Sequence, residues 1–275
     1  PIFNQQQMPK VVLISGASSG LGLATALYLH EKNYRVFGTS RKPEQYQEQY
    51  PFTFLALENT DAESIQNCVA AVLDQEGRLD VLINNAGVGI TGPMEEIELS
   101  AVQQHFEVNC FGPLQLIQGV LPQMRKQQEG LIVNITSIAA DMGLPFRGPY
   151  SAAKGALERM AEALRMETKA FGIRICNLAP GDFVSNIAER RHYAKLKEDS
   201  PYYKTYEFSL EQMNEHVDNG IDPKEIAHQL EALIHNSNPK VRYKVGAPLQ
   251  KLSGILKNLL PSRIFEKLLM NHYNL

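Results

Sequence analysis

The pair best suited to proton chemistry in this chain is Tyr150 and Lys154, in the run Tyr150-Ser151-Ala152-Ala153-Lys154. Four residues apart on a helix, two side chains share one face. A free phenol has a pKa near ~10, too high to exchange protons readily at neutral pH. A neighbouring ammonium favours the phenolate and brings it toward the working range. Ser137 follows the apolar run Leu131–Ile135. It is therefore expected at the carboxyl end of a strand, where doubly wound sheets bind ligands. Tyr/Lys pairs at this spacing are common on helix surfaces; the company of Ser137 and a glycine loop gives this one its weight.

That loop is Ser15-Gly16-Ala17-Ser18-Ser19-Gly20-Leu21-Gly22, between a strand-like run and a helical one. Glycines allow a tight turn and close backbone approach, so free N–H groups at the helix start can hold a pyrophosphate. Past the second strand the sequence reads Thr39-Ser40-Arg41-Lys42. An NAD site wants a carboxylate there for the ribose hydroxyls. Arg41 instead suits a 2′-phosphate through charge-assisted hydrogen bonds, which favours NADP(H). Gly16–Gly20 also fits G-x-S-x-G, the nucleophile elbow of serine hydrolases, with Ser18 as nucleophile. No upstream strand is available to supply an oxyanion-hole loop, and none of the seven histidines stands in a distinctive setting.

These groups need a frame, and the chain supplies one. Short strand-like runs at 11–15, 35–39, 52–57, 81–84, 131–135, 173–178 and 242–245 alternate with helical stretches near 100–127, 150–171 and 222–235. The pattern predicts an α/β doubly wound, Rossmann-type, mostly parallel seven-stranded sheet with helices on both faces. Thr60-Asp61-Ala62-Glu63 reads as a capping box, and Asp222-Pro223-Lys224-Glu225 as a second helix start. Residues 1–275 read as a single domain, with an irregular substrate loop over about 182–220 and a helical tail over about 247–275. Of 275 residues, 44% are hydrophobic and 21% charged, with a formal net charge of -3. Disorder and a nucleic-acid partner are thereby disfavoured. Cys68, Cys110 and Cys176 are widely spaced and read as buried reduced thiols. No metal-ligand spacing is present. Pro1–Lys10 lacks an apolar core and no run reaches a membrane span, so a cytoplasmic protein is expected.

Together these motifs resemble the short-chain dehydrogenase/reductase family. The shared features are SGASSGLG at Ser15–Gly22, NNAG at Asn84–Gly87, Asn109, Ser137, YSAAK at Tyr150–Lys154 and PG at Pro180–Gly181, in the family's order. The resemblance implies hydride transfer between NADP(H) and a secondary alcohol or ketone, a small-molecule carbonyl/alcohol substrate. It makes Tyr150 the general acid/base, Ser137 its partner on the substrate oxygen, and Lys154 the group that lowers the phenol pKa and binds the nicotinamide ribose. Asn109 would hold a water of a proton relay. Cofactor contacts would come from Gly16, Ser18, Ser19, Gly20, Leu21, Gly22, Ser40, Arg41, Glu58, Asn59, Asn85, Ala86, Gly87, Tyr150, Lys154, Pro180, Gly181, Phe183 and Ser185. Ser15 and Ser185 stand where the family commonly has Thr, and Glu58 where it commonly has Asp. An intact relay set argues against a non-catalytic NADP(H)-binding sensor. The resemblance also implies a homodimer or homotetramer through the helices near 100–127 and 150–171.

Beyond Asp182 the likeness weakens, but Arg242–Gly246 followed by Leu249–Leu269 resembles the hydroxysteroid/retinol dehydrogenase-like branch, whose substrates tend to be large and apolar. Ala139, Met142, Leu144, Phe146, Phe183 and the 186–220 stretch are expected to line the pocket, and His105 to be structural or solvent-facing. In the tail, Leu252, Ile255, Leu256, Leu259, Leu260, Ile264, Phe265 and Leu268 have helical spacing among Lys251, Lys257, Arg263 and Lys267. A helix pair covering the pocket or an oligomer interface is the favoured reading there, ahead of a membrane-surface helix.

Overall fold

The computed structural model describes residues 8–183, 190–218 and 220–275, with the side chains of 216–218 outside the described set. Its strands are β1 (Val11–Ile14), β2 (Arg35–Ser40), β3 (Thr53–Ala56), β4 (Val81–Asn84), β5 (Ile90–Thr91), β6 (Gly130–Ile135), β7 (Ile173–Pro180), β8 (His192–Tyr193) and β9 (Arg242–Val245). Seven form one sheet in the order β3-β2-β1-β4-β6-β7-β9, and every pairing in it is parallel. The strand order reverses between β1 and β4, which opens a crevice at their carboxyl ends. β5 and β8 pair separately beside the site.

The helices are α1 (Gly20–Glu31), α2 (Ala62–Glu76), α3 (Leu99–Phe106), α4 (Gly112–Gln127), α5 (Gly148–Glu167), α6 (Tyr203–Asp218), α7 (Pro223–His235), α8 (Pro248–Leu259) and α9 (Ser262–Tyr273). Alternating side chains of the strands feed two separate cores, as a sheet covered on both faces requires. Val12, Ile14 and Val81 pack with Ala26 and Leu29 of α1 and Ile226, Leu230 and Leu233 of α7. Leu13 and Leu82 pack on the opposite face with Val69 of α2, Ile117 and Val120 of α4, and Ala161 of α5. Each fully buried Val, Leu or Ile among them contributes roughly 1.5–3 kcal/mol by leaving water.

Local chemistry fixes the helix ends, once one residue away from expectation. Asp61, not Thr60, caps α2: its carboxylate accepts from Glu63 N at 3.0 Å. A carboxylate adjoining the first turn competes well with a hydroxyl there. Asp222 caps α7 as expected, accepting from Lys224 N at 2.9 Å. The predicted helix 100–127 forms, running through α3 and α4 with a π-helical turn, Glu107–Phe111, inserted between them. The segment expected to be irregular over 182–220 contains α6 and β8; residues 184–189 and 219 lie outside the described set.

Three buried asparagines cross the sheet at its carboxyl edge. Asn84, Asn134 and Asn177 are register partners on β4, β6 and β7. Asn84 Nδ2 donates to Asn134 Oδ1 at 2.9 Å, and Asn134 Nδ2 to Asn177 Oδ1 at 3.2 Å. The tail folds into α8 and α9. Gln250 of α8 donates to Asp182 Oδ2 at 2.6 Å, and Lys257 donates to the Asp141 carbonyl at 2.6 Å, which holds α8 over the sheet's carboxyl edge.

Candidate active site

The glycine loop is stitched to the end of β4. Ser15 Oγ accepts from the backbone N of Asn85 and of Ala86, each at 3.0 Å. Asn85 Nδ2 donates to the Ser15 and Gly16 carbonyls, also at 3.0 Å each. These contacts use the hydroxyl that Ser15 keeps. Gly16 has φ +69°, a conformation that suits glycine. A Cβ on Gly22 would come within 2.3 Å of Gly16 O. Ser19, the N-cap of α1, makes no side-chain capping bond, so the first-turn N–H groups of α1 are left without that partner. An uncapped helix N-terminus behind a glycine turn fits a pyrophosphate, and this cradle fits a dinucleotide.

Across the crevice, α5 carries Tyr150 and Lys154 one turn apart, both buried. Lys154 Nζ donates to the Ile135 carbonyl at 3.1 Å, which ties the amine to the end of β6. Burial pushes the Lys154 amine down to about 8. Ser137 opens a short 3-10 turn, Ile138–Asp141, and its Oγ accepts from Ala139 N at 3.1 Å. Asn109 sits in the π turn, where it exchanges hydrogen bonds with the Val88 backbone: Val88 N donates to its Oδ1 at 3.2 Å and its Nδ2 donates to Val88 O at 3.1 Å. A Cβ on Gly87 would meet Asn109 Oδ1 at 2.7 Å and Lys154 Nζ at 3.4 Å. The absence of a side chain at Gly87 thus leaves room for both groups beside it.

Tyr150, Lys154, Ser137 and Asn109 all line one cavity of about 510 Å³ at the sheet's carboxyl edge, with Gly87 and Gly181. That volume lies within the range of organic-ligand pockets. Ala139, Met142, Leu144 and Phe183 line it as expected. Phe146 does not: at φ +57° its ring turns away and packs against Tyr206 and Met213. The inner faces of α8 and α9 close the cavity through Leu256, Leu269 and Tyr273, so the tail covers the pocket.

Several neighbours carry no sequence signal. His105 is buried rather than solvent-facing, 3.2 Å from Asn109 Nδ2 through its Nδ1, with its ring 5.9 Å from that of Tyr150. Burial, aided by the Lys154 charge, pushes its pKa down to about 3, so the imidazole is neutral. Arg147 places its guanidinium 5.0 Å from the Tyr150 ring centre. Arg242 of β9 donates to the Ser137 carbonyl at 3.0 Å, lies 3.0 Å from Glu158 Oε1, and pairs with Asp141. Glu158 is one turn beyond Lys154 on α5 and 1% exposed; Thr136 Oγ1 donates to it at 2.7 Å. Burial raises the Glu158 carboxyl despite these partners. Asp141 is also penalised by burial, yet Lys244 and Arg242 hold its carboxyl below the usual range. Arg242 therefore clamps the Ser137 turn to the helix of Tyr150 and Lys154. The glutamate's spacing of four from Lys154 is the one clue the sequence offered.

The remaining predicted contacts divide. Ser40 and Arg41 stand at the end of β2, with Arg41 exposed and Ser40 Oγ accepting from Lys42 N at 3.1 Å. Asn59 is buried, and Glu58 folds back to accept from Thr60 N and Oγ1 at 3.3 and 3.1 Å. That turn occupies one Glu58 oxygen in a local contact. Pro180 and Gly181 line the cavity beneath α8, while Ser185 lies outside the described residues. Among the described residues Ser18 has no hydrogen bond to a histidine, and no His/Cys/Asp/Glu cluster is placed to hold a metal. All three cysteines are free and buried, and burial raises each thiol. No helix among the described residues is long and apolar enough to cross a membrane.

Comparison with known proteins places this geometry. The short chain dehydrogenase family model matches residues 10–195. A 3-ketodihydrosphingosine reductase of Bacteroides thetaiotaomicron is 36% identical over 266 residues, covering 96% of this chain and 98% of that protein. Human retinol dehydrogenase 8 is 38% identical over 191 residues, 65% of this chain and 60% of that one. The crystal structure of a short-chain dehydrogenase from Streptomyces avermitilis superposes with a TM-score of 0.82 at 31% identity, over 92% of this chain and 94% of the other. With the glycine cradle, the Ser/Tyr/Lys cavity and the parallel sheet on one frame, the chain belongs to the short-chain dehydrogenase/reductase family of oxidoreductases and has retinol dehydrogenase-like relatives.

Proposed function

We propose that this oxidoreductase interconverts a ketone and a secondary alcohol of a large apolar substrate, using NADP(H) and Tyr150 as general acid/base. The observation that carries the reading is the convergence of Tyr150, Lys154, Ser137 and Asn109 on one largely apolar cavity beside the glycine cradle. The α1 N-terminus would hold the pyrophosphate, Ser40 and Arg41 the 2′-phosphate, Asn85-Ala86-Gly87 the adenosine side, and Pro180-Gly181 the nicotinamide side. When bound, the dinucleotide supplies the hydride in reduction and takes it up in oxidation.

The chain's own residues then have separate tasks. Ser137 Oγ hydrogen-bonds the substrate oxygen, and Tyr150 gives that oxygen its proton. Lys154, fixed by Ile135 O, stabilises the phenolate that remains, and Asn109 holds the water through which the proton is replaced. The apolar lining and α8–α9 cover exclude solvent, which strengthens each of these interactions. Support for the substrate class comes from the relative named for reducing 3-ketodihydrosphingosine, whose likeness spans nearly the whole chain. The acting unit is a cytoplasmic homodimer or homotetramer.

NADPH oxidation by the purified protein, measured against long-chain ketones, steroids and retinoids, tests the reading together with Tyr150→Phe. The variant is expected to bind NADPH normally while turnover falls about 10²–10⁴-fold. Full turnover in that variant removes Tyr150 from the mechanism.

A further inference from the structure

The α8–α9 pair has two apolar faces, an inner one that closes the cavity and an outer one that is largely exposed. On the outer side Leu249, Leu252, Ile255, Leu259, Ile264 and Leu268 are between 48% and 75% exposed. Soluble surfaces rarely gather this many large apolar side chains on adjacent elements. Two of the six, Leu249 and Leu268, also line the catalytic cavity. They therefore form the rim of its mouth, and the exposed patch is continuous with the inside of the site.

Charge selects the partner. Residues 247–275 hold Lys251, Lys257, Arg263 and Lys267 against a single acid, Glu266. This tail carries +3, whereas the preceding 246 residues carry -6. Lys257 is turned inward onto the Asp141 carbonyl, but Lys251, Arg263 and Lys267 are exposed on the apolar helices. Pairing this face with a second copy would bring two +3 surfaces together. An anionic lipid surface is complementary to both features, since its acyl boundary takes the leucines and its headgroups take the cations.

We propose that α8–α9 docks the protein on an anionic membrane surface and presents the mouth of the catalytic cavity to the lipid, so that an apolar substrate enters without crossing water. The docking stands on the tail alone; the passage of substrate rests on the oxidoreductase reading above. Anchoring by Gln250 to Asp182 and by Lys257 to Asp141 keeps the helices seated over the site while their outer faces meet the bilayer.

Flotation of the full chain with vesicles of phosphatidylcholine, with and without phosphatidylserine, tests docking without any turnover. The protein is expected to float with the anionic vesicles, and added salt is expected to weaken this. Leu252→Asp with Leu259→Asp, neither of which lines the cavity, should abolish flotation yet leave reduction of a water-soluble ketone unchanged. Charge reversal at Lys251, Arg263 and Lys267 should weaken anionic-vesicle binding roughly 100-fold, at about 1 kcal/mol for each cation removed. Equal flotation with neutral vesicles overturns the electrostatic part. Failure to float, with a dimer that the Leu252→Asp/Leu259→Asp variant dissociates on size exclusion, overturns the proposal and makes this face a self-interface. Vesicle binding without faster use of a membrane-embedded ketone refutes the substrate route alone.

Discussion

Replacing Lys154 by Met should make the protein more stable at neutral pH while removing its activity. The Lys154 amine is buried, and burial lowers it from 10.5 to about 8. At about 1.36 kcal/mol for each pH unit, holding it charged costs the folded state on the order of 3 kcal/mol. Methionine removes that cost and fills a similar volume, but forfeits the hydrogen bond to Ile135 O, worth about 1 kcal/mol. The net expectation at pH 7 is a gain of about 1–2 kcal/mol. Below pH 8 the lysine is protonated in both states and its penalty is complete. Between about 8 and 10.5 the unfolded chain binds one proton more than the folded one, so wild-type stability rises with pH and the advantage of Lys154→Met shrinks. Urea unfolding of the cofactor-free protein at pH 7 and pH 9.5 measures both quantities. A Met variant that is less stable at pH 7, or a difference independent of pH, refutes the idea that this amine is held charged against its surroundings.

Three further outcomes follow from contacts described above. Arg41→Asp should weaken NADPH binding far more than NADH binding in a fluorescence titration; equal losses would separate Arg41 from the 2′-phosphate. Arg242→Met should destabilise by about 3–5 kcal/mol, because it takes the 3.0 Å cation from buried Glu158 and leaves that carboxylate only the Thr136 hydroxyl and a 3.9 Å contact with exposed Arg159, and adding Glu158→Gln should recover much of that loss. Strictly additive losses in thermal melts would break the link between the two. Gly22→Ala places a methyl 2.3 Å from Gly16 O and should abolish dinucleotide binding with loss of stability; an unchanged dissociation constant would show that the cradle yields.

The parts of the site legible in the sequence were those written in short spacing. Tyr150 and Lys154 are four apart on a helix, and the glycines sit at a strand-to-helix joint, so local geometry alone brings out their chemistry. β1 is wholly apolar, and β4 and β6 each carry one asparagine among apolar residues, which announced a sheet covered on both faces. What escaped were contacts made only by tertiary closure. Arg242 meets Ser137 and Glu158 across long stretches of chain, and no local pattern marks it. His105 reads as structural or solvent-facing, and only its packing beside Asn109 of the π turn decides for the buried alternative. α6 escaped because its run is polar and tyrosine-rich, and its apolar positions Tyr206, Leu210 and Met213 find their partner Phe146 only through tertiary closure; Phe146 left the pocket because its backbone takes a left-handed turn.

The asparagine row across β4, β6 and β7 works as a proofreading device for assembly. Hydrophobic strands such as these pack almost as well one step out of alignment, since their neighbours are equally greasy. Three carboxamides in a dry interior cannot tolerate that shift, because each left without its mate costs about 1–3 kcal/mol. Out-of-register sheets are thereby disfavoured, and the carboxyl ends of three strands lie level with one another, which gives Ser137 and Asn85 a common floor to stand on.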